Sequence, residues 1–154
     1  MNALHKLNAI AYKANALFSE NLVSTLLRIS IFFIFWPIAQ SHIYGLTVLG
    51  QDLAFWNLTS RGLASFPNNQ IISFLPLHAF SYVFVSIEFL GSLFILLGFL
   101  TRFSALLLLT VVLLIQIMTW PSQWEGHLLW AVSLIALLKY GAGNISLDKH
   151  FSLE

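Results

Sequence analysis

The chain has 154 residues, of which 58% are hydrophobic and only 8% charged, against roughly 25% charged in an ordinary soluble domain; so little charge excludes a water-exposed globule and places the protein in a lipid bilayer. Its net charge of +1 offers no basic or acidic surface for nucleic acid or a charged polymer. The absence of cysteine excludes disulfide exchange, thiolate nucleophiles and iron–sulfur or other Cys-ligated centres, so any redox role must use a bound cofactor or a partner.

Residues 1–21 read as an amphipathic helix on the membrane surface. Apolar side chains recur at Leu4, Leu7, Ala11, Ala14 and Phe18, while Lys6 and Lys13 lie away from that stripe. A helix packed against the chain's own bundle fits the same spacing. Beyond it, no charge falls between Ile29 and Gln51, between Gly62 and Ile87, or between Phe103 and Trp124. Crossing a hydrocarbon core takes about 20 helical residues, and four spans fit: about Val23 to Tyr44, Leu77 to Phe99, Phe103 to Trp120, and a short one from Trp124 to Tyr140. Pro37 interrupts the first and predicts a kink. The expected fold is an all-α integral membrane four-helix bundle over residues 22–150, preceded by the amphipathic helix.

The connection from Gly45 to Pro76 is long and aromatic, with Phe55-Trp56, Phe66-Pro67 and the turn signal Asn68-Asn69. A segment of this kind predicts a lid over the outer mouth of the bundle. Orientation follows from the cations. Lys6, Lys13, Arg28, Arg102, Lys139 and Lys149 lie on the side of the termini and only Arg61 lies opposite, which predicts cytoplasmic termini.

Ionisable residues inside a span need a partner or a purpose. Glu88 lies near the middle of the second span, with Ser81, Phe84, Gly91 and Ser92 on its helical face, so that face is expected to point into the bundle. Arg28, on a long stem inside the first span, is its expected partner. Two readings stay open for Arg28 and Glu88: an ion pair that fixes helix register, or a proton-active carboxylate that contacts a ligand.

A second polar group collects at the outer ends of the spans. It comprises Gln40, His42, His78, Tyr82, Gln116, Gln123, Glu125 and His127. Helical spacing puts Arg28, Phe35 and His42 on one face, and Trp124, His127 and Trp130 on another. Three histidines from three helices, His42, His78 and His127, would suit zinc or copper if they converge, although neither HxxxH nor ExxH spacing is present. Imidazole beside aromatic faces equally suits a quinone headgroup, with Tyr82, Gln116, Trp124, His127 and Trp130 as the ligand-binding candidates. The third reading is plain interfacial side chains, with the tryptophans forming the aromatic belt.

These positions resemble the DoxX family of four-helix membrane proteins. The resemblance is carried by Leu26-Leu27-Arg28, by Glu88-Phe-Leu-Gly-Ser-Leu-Phe-Ile-Leu-Leu-Gly98 with Leu100-Thr101-Arg102, and by Gly141-Ala-Gly143-Asn-Ile-Ser146-Leu-Asp148, which is similar to a closing G-P-G-x-x-S-L-D with Ala142 in place of Pro. Ile115-Gln116-Ile117 and Pro121-Ser-Gln-Trp124-Glu-Gly-His127-Leu-Leu-Trp130 resemble a subgroup with Tyr where this chain has Trp120. The chain departs from many relatives at Trp36-Pro-Ile-Ala-Gln40-Ser-His42, where they carry a Gly-and-Lys signature. The resemblance implies a bacterial-type inner-membrane protein, either a quinone- or small-ligand-binding subunit of an oxidoreductase system or a non-catalytic anchor or chaperone-type protein in metal handling or stress response. It implies a redox or periplasmic partner, and self-association is compatible with it.

Overall fold

The computed structural model describes residues 18–64 and 77–153, together with His5, Asn8, Ala9 and Tyr12. Most of the expected amphipathic helix and residues 65–76 of the long connection lie outside the described residues. The described chain is mostly helical. Helix α1 spans Glu20–His42, a hairpin pairs β1 (Thr47–Val48) with β2 (Gln51–Asp52), α2 is a short turn at Ser60–Ala64, and α3 runs Leu77–Leu97. Helix α4 covers Thr101–Met118, a single 3₁₀ turn covers Pro121–Gln123, α5 covers Trp124–Tyr140 and α6 covers Leu147–His150.

Three helices, α1, α3 and α4, are long and apolar enough to cross a bilayer; α5 is an apolar helix of 17 residues. Helix α1 packs on α3, α3 on α4, α4 on α5, and α5 back on α1. Inside this ring lie Ile31, Phe35, Ile95, Leu108, Leu134 and Leu137, all inaccessible to solvent. The outward faces are equally apolar: Phe33, Leu106, Leu113, Ile117, Leu129 and Val132 are all exposed. Apolar side chains on both faces of a helix are stable only in lipid or in a large core, and among the described residues no further protein layer surrounds the ring of helices.

Helix α1 starts where Ser19 Oγ accepts the Leu22 amide at 3.2 Å and Glu20 meets the positive end of the helix. It begins three residues before the expected Val23 and ends at His42, two residues before the expected Tyr44. Pro37 lies within it without ending it; the ring removes only the bond to Phe33 O. Its buried stripe reads Ser24, Arg28, Ile31, Phe35, Ala39, His42, the three-and-four spacing of one helical face.

The end that holds the chain's C-terminal segment is locked by polar contacts. Gly98, with φ of 67°, ends α3 in the left-handed conformation that favours glycine. Asp148 caps α4, its two oxygens accepting from Leu100 N at 2.6 Å and Thr101 N at 2.8 Å. Ser24 Oγ donates to Gly141 O. This end, with Glu20, Gly98 and Gly141, is the proximal end below; the opposite one is distal.

Candidate functional site

Arg28 does not reach Glu88. Its guanidinium donates to four main-chain carbonyls at the proximal end: Nε to Ile95 O at 2.8 Å, Nη2 to Leu96 O at 2.5 Å, and Nη1 to Ala142 O at 3.0 Å and Ile145 O at 2.6 Å. Two of these carbonyls belong to the last turn of α3, where the regular helical donors run out; Ile95 O also accepts from Gly98 N at 3.1 Å. Arg28 is therefore a cap that ties α3 to the turn after α5, and the expected Arg28–Glu88 pair is replaced by two separate contacts. Side chains on a helix lean toward its N-terminus. In the antiparallel pair α1–α3, Arg28 thus leans to the proximal side while Glu88 leans to the distal side, away from each other.

Glu88 is fully buried and pairs instead with His42: Nδ1 lies 2.9 Å from Oε2. His42 shares the α1 face of Arg28 but sits 14 residues, roughly 21 Å, farther along the helix. The face of Glu88 turns inward as the small residues predict. Ser81 and Ser92 are inaccessible, and a Cβ on Gly91 would stand 3.2 Å from Leu108 Cγ, so α3 and α4 approach closely there. The other carboxylate oxygen, Oε1, is buried without a hydrogen-bond partner among the described residues.

Glu88 and His42 border a cavity of about 490 Å³, within the size range of small-ligand sites. Helix α1 contributes Ile38 and His42, α2 contributes Arg61, and α3 contributes Phe84 and Glu88. The far wall is Ile115, Thr119 and Trp120 at the end of α4, Gln123 of the 3₁₀ turn, and His127 and Trp130 of α5. The aromatic wall is packed: Trp130 meets Phe35 edge-on at 5.8 Å and His127 at 5.1 Å between ring centres.

His127 is oriented by Gln116. The Gln116 amide nitrogen donates to Pro121 O at 2.9 Å, which leaves Oε1 to accept from His127 Nδ1 at 2.6 Å. With the hydrogen on Nδ1, the neutral imidazole keeps Nε2 as an acceptor. Glu88 and His127 thus both border the cavity, each with an atom that can accept a hydrogen bond.

Of the polar and aromatic residues singled out in the sequence, the structure brings His42, Glu88, Gln123, His127 and Trp130 to this cavity and puts Gln116 behind His127. Tyr82 and Trp124 do not line it and are exposed. His78 is exposed on the first turn of α3, and among the described residues no three His, Asp or Glu side chains are grouped to hold a metal. The converging three-histidine site is therefore not formed: His42 and His127 face one cavity, and His78 stands apart because it lies ten residues distal of Glu88 on α3.

Arg61 was legible only as a lone distal cation. It reaches the cavity because α2 folds back onto the end of α1, where Thr59 N donates to His42 O at 2.9 Å and Thr59 Oγ1 caps Gly62 N at 3.1 Å. That approach requires a glycine, since a Cβ on Gly62 would stand 2.6 Å from His42 O. Gly62→Ala is expected to push α2 off the cavity rim and destabilise the protein by about 1–3 kcal/mol, the usual cost of overpacking; thermal unfolding in detergent, beside an exposed-site control such as Ser133→Ala, checks it.

The second contribution invisible to helical spacing is Asp148. The run from Gly141 to Asp148 looked like a family signature without a mechanism. Its mechanism is the proximal lock, in which Ala142 and Ile145 carbonyls receive Arg28 and Asp148 caps α4.

Apolar helices that cross a bilayer and enclose a buried acid–imidazole pair beside an aromatic cavity define an integral membrane protein with a ligand-sized site near one end. Residues 23–120 match the DoxX family, and the chain belongs to that family. No curated protein and no solved structure matches it.

Proposed function

We propose that the protein is a four-span membrane subunit of an oxidoreductase system that binds a quinone-class ligand in the distal cavity, and that the reduced, dihydroxy form is the better fit. The observation that carries this reading is the unpartnered Oε1 of Glu88 beside a cavity whose opposite wall offers His127 Nε2. A buried acceptor left unmade costs about 1–3 kcal/mol, and a guest that brings hydroxyl hydrogens removes that cost. Phe84, Trp120 and Trp130 supply flat apolar faces for an aromatic ring. Arg61 at the rim adds a cation that can meet ring carbonyl or methoxy oxygens.

A dihydroxy ring that loses two electrons sheds two protons. Glu88 and His127 are placed to receive them, and the electrons leave to a partner subunit, since this chain has neither cysteine nor a metal-ligating cluster among its described residues. The excess of Lys and Arg at the proximal end supports cytoplasmic termini, with the cavity toward the outer leaflet of a bacterial-type inner membrane.

The test is equilibrium binding to the purified protein in detergent, with a short-chain benzoquinone and its dithionite-reduced form titrated separately against tryptophan fluorescence. The reduced form is expected to bind at least tenfold more tightly. Equal binding of the two forms would reject the acceptor-lined site, and no binding of either would reject the quinone reading.

The second reading, a non-catalytic anchor or chaperone-type protein, is favoured by one observation: Tyr44, Leu46, Val48, Leu49 and Trp56 are exposed on the distal connection. Purified protein that carries no extractable quinone but retains a stoichiometric protein partner would select it.

A further inference from the structure

We propose that the hairpin of β1 and β2 is a lipid anchor seated in the distal leaflet, at the boundary between headgroups and acyl chains. Three independent features lead there.

The first is depth. After α1 ends at His42 the chain does not continue away from the membrane; it turns back along the flank of the helix. Gln40 holds Asp52 by both ends of its amide, Nε2 donating to Asp52 O at 2.9 Å and Oε1 accepting from Asp52 N at 2.8 Å. Trp36 Nε1 donates to Gln51 Oε1 at 2.8 Å. Trp36 lies six residues, ~9 Å, before the end of the helix. The second strand is thus pinned beside the last two turns of a membrane-crossing segment and not above it.

The second is chemistry. The hairpin has no Lys or Arg, and its one acid, Asp52, receives the Thr47 hydroxyl at 2.8 Å. Leu46, Val48 and Leu49 project outward, and Leu49 at the tip is 97% exposed. Tyr44 and Trp56 stand at the base, where amphipathic rings suit the interface.

The third is the turn itself. Leu49 and Gly50 have φ of 52° and 75°, the two-residue hairpin turn in which Asn-Gly or Asp-Gly is usual. A leucine in the left-handed region is sterically disfavoured, and in water its side chain would gain nothing for that cost. Immersed in acyl chains it recovers hydrophobic free energy. The seat is the interface and not the hydrocarbon centre, because the outer edge of a two-stranded hairpin has main-chain groups that need water or headgroups as partners.

The lack of cysteine makes the test direct. Leu49→Cys in the full chain, carrying a nitroxide and reconstituted in phosphatidylcholine vesicles, is measured for collision with oxygen and with a water-soluble nickel chelate. Leu113→Cys on the outward face of α4 and Lys149→Cys serve as lipid and water references. The expected result is oxygen accessibility close to the Leu113 site and nickel accessibility at least fivefold below the Lys149 site. High nickel accessibility would overturn the proposal in favour of an aqueous loop, and low accessibility to both would overturn it in favour of a protein cover. Val48→Cys, in the strand, gives the same readout if the tip variant fails to reconstitute.

Discussion

Arg28→Leu is expected to destabilise the folded protein by about 3–5 kcal/mol, since four carbonyls lose a charged donor and each such loss costs about 1–3 kcal/mol where the site is buried. The side chain is almost wholly buried, and its four acceptors come from two segments, the last turn of α3 and the turn after α5. Removing the guanidinium takes the charged donor from the Ile95 and Leu96 carbonyls at the end of α3 and releases the turn around Ala142 and Ile145. Lysine restores the charge but not the planar fork that serves carbonyls in different directions. The order of thermal midpoints in detergent should therefore be arginine, then lysine, then leucine, with a total fall of ~10 °C or more. Gly98→Ala strikes the same lock, because its Cβ would stand 2.6 Å from Ser146 Cβ and 2.8 Å from Arg28 Cζ on a backbone with φ of 67°. It should fall in the same direction. If Arg28→Leu unfolds at the wild-type temperature, the proximal cap is not what holds α3 to the segment after α5.

Glu88→Gln is expected to leave the fold intact and weaken binding of the reduced quinone at least tenfold, about 1.4 kcal/mol at 25 °C. The amide keeps the volume of the carboxylate, and its oxygen can still accept from His42 Nδ1, so the contact between α1 and α3 survives. What changes is the free position. Where Oε1 of the acid accepts a hydroxyl hydrogen, the glutamine presents an NH₂ that only donates. Binding of the oxidised ring, whose carbonyls accept, should fall less or rise. The discriminating measurement is the ratio of the two affinities in wild type and variant, alongside thermal midpoints that agree within ~2 °C. A parallel loss of both forms together with a large fall in midpoint would make Glu88 a structural residue only.

Much of the fold was legible because the bilayer imposes simple rules. Apolar runs without charge predicted the helices that became α1, α3 and α4, and the short last span matched α5 from Trp124 to Tyr140. The boundaries that moved did so for local reasons. Helix α1 begins earlier because Ser19 and Glu20 cap it, and α3 stops two residues before Phe99 because Gly98 turns left-handed. Of the long connection expected as a lid, the described part divides: α2 brings Arg61 to the cavity, while the hairpin turns away along α1.

The candidate site was legible only by face. Arg28, Phe35 and His42 were correctly grouped on one stripe of α1, and Glu88 was correctly turned inward. Helical spacing gives no height for one helix against another, so it did not show that His42, and not the expected Arg28, meets Glu88. Trp124 and Tyr82 were ligand candidates beside His127, and both are exposed away from the cavity, because a small rotation about a helix axis exchanges the cavity for lipid.

What the sequence alone determined is the solvent, the helices and the family: charge-free apolar runs have one stable environment, and the motifs keep their order along the chain. What only the tertiary structure decided is the pairing. The antiparallel register of α1 on α3 sets which polar groups share a level, and the opposite lean of their side chains sends Arg28 to the proximal carbonyls and leaves Glu88 with His42. Register comes from many weak contacts summed over whole helices, and no single stretch of sequence contains that sum.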